Sequence, residues 1–122
     1  MQNAKDTLDT AKICREYKRY KDSINRCYYA AFYAIKAVLA LEGKDFKRHK
    51  DAVGYFNQTY VATGKFSRDF GKRLGRLKRK REVSDYDDFY VASNEEAIEQ
   101  YESAELIVNQ VERYLMKMDI NI

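Results

Sequence analysis

Between Asn25 and Leu41 the chain reads NRCYYAAFYAIKAVLAL, and from Cys27 onward its only charged residue is Lys36. A surface helix shows one apolar stripe; a helix apolar nearly all round is buried on several sides. No Gly or Pro interrupts the run, and Ala, Leu and Lys favour helix. The run is too short to cross a bilayer, which takes about 20 apolar residues. It is expected to be the central helix of a small bundle, with other helices packed around it.

Two faces of that helix differ in character. Ile24, Cys27, Tyr28, Ala31, Ile35, Val38 and Leu41 or Glu42 follow helical spacing and form an aliphatic seam. Arg26, Tyr29, Tyr33 and Ala37 form a second face, with a cation and two phenols above alanine. Either the tyrosines are core with their hydroxyls satisfied at the edge and Arg26 pairs with an acid, or Arg26 and the phenols line a polar cleft or a dimer seam. Spacing alone leaves both open.

A chain of 122 residues is one domain, 1–122, by the prior of about 100–200 residues per domain. It holds no proline and five glycines, which favours long helices and short turns. Cys14 and Cys27 lack metal-type spacing and read as free thiols of a reducing cytosol. The start, MQNAKDTLDTAK, has no apolar signal core. A soluble cytoplasmic protein without a membrane partner is expected.

Net charge is only +4, but its distribution is uneven. Lys65, Arg68, Lys72, Arg73, Arg76, Lys78, Arg79, Lys80 and Arg81 are opposed within their segment by Asp69 alone. From Glu82 to Glu112 there is no Lys or Arg, and acids continue to Asp119. A basic block attracts phosphates, although a charge run is often only a solvated face.

In chain order, residues 3–19 read as a first helix with a thin stripe of Ala4, Leu8 and Ala11 and then Cys14 or Arg15. Tyr20 to Ser23 reads as a junction, with Asp22 or Ser23 capping the central helix. That helix is expected to stop near Gly43. His49, Val53, Phe56 and Tyr60 share a face of a third helix. His49 is the only histidine, so neither a zinc site nor a Ser-His-Asp set can be built from spacing; metal and cofactor are both expected to be absent. Ala62-Thr63-Gly64 reads as a turn, and Ser67 as the cap of a fourth helix carrying Phe66, Phe70, Leu74 and Leu77. Gly71 and Gly75, four apart, would let another helix approach closely. Ser93-Asn94-Glu95-Glu96 is a capping-box pattern opening a last helix. Its apolar seam, Ala97, Tyr101, Ala104, Val108, Val111 and Leu115, steps by fours and threes to an end near Met118. The predicted fold is all-α, an antiparallel up-and-down bundle of about five helices.

Three segments in this order carry a resemblance: NRCYYAAFYAIKAVL at 25–39, His49 followed by AVGYFNQTYVATGKF to 66, and REVSDYD at 81–87. Together they resemble the HEPN domain, and more narrowly the short stand-alone HEPN proteins of the UPF0332 group, over about residues 4–115. The resemblance implies a helical bundle that is usually a homodimer. It implies a metal-independent ribonuclease whose motif is an Arg, four to six residues, then a His. It also implies a minimal nucleotidyltransferase partner in a toxin–antitoxin pair, which in some pairs adds AMP to a tyrosine near the motif.

On this sequence the motif Arg falls on Arg81, and the position expected to hold His is Tyr86. A second register begins at Arg79, with Ser84 at the His position and Tyr86 as the modified tyrosine. No His follows Arg81, and a Tyr, with an ordinary pKa near about 10, is a poor base at neutral pH. Arg81, Asp85 and Tyr86 are the candidate catalytic residues. Arg26, Arg76, Arg79 and Lys80 are the candidate phosphate ligands, and Tyr29, Tyr33 and His49 the candidate supporting groups. If helical, Arg81 and Asp85 can pair at i,i+4. Either that pair only pins the helix end, with Tyr86 packed on the central helix, or Arg26, Arg81 and Tyr86 converge on a phosphate-binding cleft. The functional readings are a toxin-type protein acting on RNA, a non-catalytic RNA- or nucleotide-binding partner of a nucleotidyltransferase, and a purely structural helical dimer.

Overall fold

The computed structural model describes residues 1–118; Asp119 and the last stretch of the 1–122 domain lie outside the described residues. Five α-helices follow in order: α1 Gln2–Glu16, α2 Tyr20–Ala40, α3 His49–Phe56, α4 Arg68–Tyr86 and α5 Asn94–Lys117. There is no strand among the described residues. The long helices run up and down around α2, which packs against α1, α3, α4 and α5. None of the helices is long and apolar enough to cross a membrane.

The central run behaves as its composition dictates. Ile24, Cys27, Tyr28, Ala31, Ile35 and Val38 are all fully buried, as are Ala30 and Ala34 on the neighbouring face. Alanines at the contact let α1 and α5 approach; Ala4, Ala11, Ala97 and Ala104 are equally inaccessible. Leu41 and Glu42 drop out of the seam, because α2 ends at Ala40 and both lie exposed in the following turn. That turn is closed by Gly43 at φ +68°, where glycine carries no side-chain penalty.

Local signals that name their own partner are realised. Ser67 accepts from the backbone N–H of Phe70 at the start of α4. Ser93 and Glu96 form the reciprocal capping box of α5. The junction between α1 and α2 falls elsewhere. It occupies residues 17–19, not Tyr20 to Ser23, and is closed by Lys18 in the left-handed region at φ 62° and by the Arg19 N–H donating to Cys14 O at 2.7 Å. Ser23 therefore sits inside α2, where its buried hydroxyl donates to the Ala11 carbonyl at 2.8 Å and ties α1 to α2. Asp22 makes no cap bond and lies in the first turn, where the helix dipole favours an acid.

The third helix is not continuous. After Phe56 the backbone widens into a π-helical turn, Asn57–Val61, closed by Ala62 N–H to Asn57 O at 2.8 Å. The turn still keeps Tyr60 in the core beside Val53 and Phe56. It also presses Val61 onto α4. A Cβ added at Gly71 would meet Val61 Cγ1 at 2.9 Å. Gly71 thus admits the π turn rather than a helix. A Cβ at Gly75 would meet only Arg79 Nη1 of its own helix, at 3.4 Å, so the pair is not a helix-crossing motif. A branched valine cannot swing aside as a long side chain would, so Gly71→Ala is expected to destabilise the fold by about 1–3 kcal/mol, read by denaturant melts.

A candidate phosphate-binding cleft between α2 and α4

Position along α4 decides which way each cation faces. Arg81 and Asp85 lie one turn apart on the side toward α2. Arg76, Arg79, Lys80 and Val83 lie on the side toward α5 and line a separate groove there with Glu99 and Gln100. The cations that look like one cluster in the sequence therefore belong to two surfaces. The register beginning at Arg79 is not supported by this geometry: Ser84 is fully buried, and Arg79 faces away from Arg81.

Arg81 is the centre of the α2–α4 surface. Its side chain is 17% exposed. One terminal nitrogen donates to the Tyr29 hydroxyl at 3.0 Å. The guanidinium carbon lies 5.3 Å from the Tyr29 ring centre, 5.5 Å from that of Tyr28 and 5.8 Å from that of Tyr86. Asp85 Oδ2 stands 3.1 Å from Arg81 Nε, but too far off line for a hydrogen bond, so the buried Nε has no partner. Burial opposes the charge, yet Tyr29, Tyr86, Asp85 and Tyr28 together outweigh it and raise the Arg81 pKa.

Arg26 joins the same ring from α2. Its guanidinium carbon is 4.9 Å from the Tyr29 centre, and Nε and Nη2 donate to Asn25 Oδ1 at 3.0 and 2.6 Å. Asn25 in turn donates to Asp85 Oδ2 at 3.1 Å. A polar chain thus runs Arg26, Asn25, Asp85, Arg81, Tyr29, and two guanidiniums share one phenol with a single carboxylate between them. Asn25 was not among the residues singled out from the sequence; its only signal was its place beside Arg26. Tyr86 does not pack on the central helix. It is 73% exposed at the end of α4, at the lip of this surface.

His49 arrives from the start of α3. Its ring lies 4.0 Å from Phe32, 5.5 Å from Tyr29 and 6.1 Å from Tyr28, centre to centre, and Nδ1 is 3.4 Å from the Tyr28 hydroxyl. Burial, and then the charges of Arg81, Lys36 and Lys78, lower its pKa, so the imidazole is neutral at neutral pH. Burial also pushes the Tyr28 hydroxyl up to about 12, against the pull of Arg81. Tyr33, half-buried 6.1 Å from Tyr29, extends the aromatic row away from the cations. The sole histidine and the motif arginine therefore border the same tyrosine, which no spacing along the chain could reveal. Among the described residues no group of three His, Cys, Asp or Glu side chains is placed to hold a metal.

This arrangement can hold an anion. Two cations brought to one ring repel each other unless negative charge stands between them. Asp85 supplies one such charge, and a phosphate at the open edge, taken by the fork of Arg26 or Arg81, would supply a second.

The comparisons agree on the family. The HEPN domain model matches residues 1–114. A UPF0332 protein of Thermotoga maritima is 30% identical over 114 residues, covering 93% of this chain and 86% of its own length. A protein of Methanocaldococcus jannaschii named as a candidate toxin is 29% identical, covering 94% and 85%. A second such protein of that organism is 22% identical over 98% of this chain and 82% of its own length. With the domain matched over nearly its whole length, and with the all-α bundle that the domain implies, the chain belongs to the HEPN domain family.

Proposed function

We propose that this HEPN protein is the toxin-type member of a pair with a minimal nucleotidyltransferase, and that it acts on RNA at the α2–α4 cleft. The observation that carries the reading is the convergence of Arg26 and Arg81 on Tyr29, which leaves a demand for negative charge beside an exposed Tyr86. Relatives named as candidate toxins support the same direction.

Cleavage without metal needs a group to take the proton of the attacking 2′ hydroxyl and positive charge for the pentacovalent phosphate. Neutral His49 suits the first role, and the two guanidiniums suit the second. Arg81 is the phosphate ligand most strongly fixed in place, and Arg26 its partner. Asp85 balances the charge of Arg81 across an offset ion pair and accepts from Asn25, which holds Arg26, and Tyr29 is the platform the two guanidiniums share. A homodimer would set two such clefts side by side. The free thiols of Cys14 and Cys27 suit a reducing cytoplasm.

A second reading rests on the position five after Arg81, which holds Tyr86 instead of His. In that reading the cleft binds RNA without cutting it. Purified protein with short RNA in EDTA separates the two. The first reading expects cleavage that Arg81→Ala reduces by about 100-fold or more, the scale of one lost charge-stabilising donor, with melting temperature largely kept. RNA binding without cleavage, lost in the same variant, selects the second. Loss of the fold in Arg81→Ala with cleavage intact in Arg26→Ala would leave only a structural role for this surface.

The exposed hydroxyl of Tyr86 is the accessible handle for a transferase. With the neighbouring transferase and ATP, wild type is expected to gain the mass of one AMP and Tyr86→Phe none; an unchanged wild-type mass excludes this control.

The imidazole titration gives an independent check. Arg81 is a cation that disfavours protonated His49, so Arg81→Ala should raise the His49 pKa toward its ordinary 6.5. With a lowered folded pKa, the unfolded chain binds this proton first, so His49 costs stability as pH falls below about 6.5 and costs nothing above it. The single histidine makes the NMR titration unambiguous. No movement of its midpoint in Arg81→Ala would remove His49 from the cleft.

A further inference from the structure

We propose that the end of the bundle where α1 and α4 finish is a self-complementary docking surface, and that its occupant is the same end of a second copy of this chain. Beyond α4 the backbone turns back to α5 through residues 87–93. Asp87 builds that turn. Its Oδ1 accepts from the Phe89 N–H at 3.0 Å, and its carbonyl accepts from the Tyr90 N–H at 3.1 Å. The Tyr90 hydroxyl donates to Glu96 of the α5 capping box. The turn is thus pinned on both sides, yet it holds Phe89 94% exposed and Val91 84% exposed. Clustered apolar side chains facing water mark interaction surfaces, and a pair already fixed in place loses little freedom on docking.

Beside this knob lies a groove of about 440 Å³ between the α1–α2 turn and the segment leading into α5. One bank carries Lys18, Arg19 and Lys21, with Asp22 as its one acid; the other carries Val91 and Ala92. A cavity of about 150 Å³ takes a benzene ring, so the groove has room for a phenyl side chain. Phe89 of the same chain does not fill it, since that ring stands out in solvent. Exposed Tyr17, next to Lys18, widens the apolar surface on the cationic side.

The charges of knob and groove are opposite. Asp87 and Asp88 immediately precede Phe89, so a phenyl entering the groove brings two carboxylates to the cationic bank. Among the described residues Lys18, Arg19, Lys21, Asp87 and Asp88 make no ion pair, although most cations of α4 near this end do. RNA or an anionic lipid surface would answer the cations and be repelled by the acids. A basic partner would do the reverse. A second copy answers both at once.

A two-fold axis through this end places each knob in the other groove. Such an isologous contact uses the same patch twice and closes at two molecules, so it does not propagate into fibres. It draws on about ten residues a side, against the roughly 20–30 of a standard interface, so the association is weak and grows with concentration. Added salt weakens it further by screening the exposed charges.

Sedimentation of the full chain over a concentration series tests the contact. Phe89→Ser is expected to reduce the mass at high concentration about twofold, whatever assembly the α2–α4 side contributes. Two charge variants give the sharper result. Asp87→Asn with Asp88→Lys makes the knob cationic while keeping the acceptor of the turn. Arg19→Glu with Lys21→Glu makes the bank acidic. Each alone should fail to associate through this end. Their equimolar mixture should regain the wild-type mass, because every knob then faces a bank of opposite sign; an unfolded variant could not give that recovery. A wild type no heavier than either charge variant, a Phe89→Ser protein that associates as wild type does, or a mixture that stays apart overturns the proposal. None of these substitutions touches Arg26, His49, Arg81 or Tyr86, so the contact stands or falls independently of cleavage at the α2–α4 cleft.

Discussion

A guanidinium kept largely from water needs compensation on every side, and the way Arg81 obtains it fixes much of the surrounding structure. Desolvating an ion costs several kcal/mol unless its charge and donors are met. Arg81 meets this with three phenol rings, one phenol hydroxyl and an offset carboxylate. Tyr28 and Tyr29 come from the middle of α2, so α4 must cross α2 where those rings emerge. The compensation is incomplete at Nε, and Arg26 adds a second cation to the same ring. A fold concerned only with stability would replace such a cluster with aliphatic packing at little loss. The retained charge supports the proposed reading of this surface as an anion site.

The fourth helix shows how a period of 3.6 residues turns one basic stretch into two surfaces. Lys78, Arg81 and Asp85 recur by three and four on the α2 side. Arg76, Lys80 and Val83 do the same on the α5 side, with Arg79 one turn before Val83. Lys78 and Arg73 are neutralised within the helix by Glu82 and Asp69, and Lys80 by Glu96. A basic run of the kind that is often only solvated is here balanced in part. Among the described residues Lys65, Arg68, Lys72, Arg76 and Arg79 make no ion pair, while Arg81 has Asp85 but shares it, through Asn25, with Arg26.

The parts of the fold legible in the sequence were those whose cause is local. Ser67 and the Ser93–Glu96 box cap helices through backbone groups three residues away, so pattern and bond coincide. The apolar run of α2 and the four-three steps of α5 carry their burial in their own spacing. The α1–α2 turn was displaced because Lys18 adopts a conformation that side chains seldom take, and Ser23 found a better use across the interface than at a cap. The π turn at Asn57–Val61 has no pattern of its own; it depends on the fit of Val61 over Gly71. The Arg81–Asp85 pair was visible as an i,i+4 spacing, whereas the division of the cations between two grooves required the rotation of α4 to be known.

The missing motif histidine is the sharpest instance of that difference. A motif records residues that are neighbours in sequence because one helix displays them, but proton transfer requires only proximity in space. Here the position five after Arg81 carries an exposed Tyr86, and the chain's one imidazole, at the first residue of α3, stands beside Tyr28 and Tyr29. It is held by Phe32 and Tyr28 and kept neutral by burial and by the cations around it. Those same cations would draw a phosphate toward it. A bound phosphate would in turn favour the imidazolium that proton abstraction creates, since an opposite charge nearby stabilises the charged form. On the proposed reading, a bound phosphate would thus make His49 a stronger base, in a cleft built from residues that one-dimensional motif reading assigns to three unrelated segments.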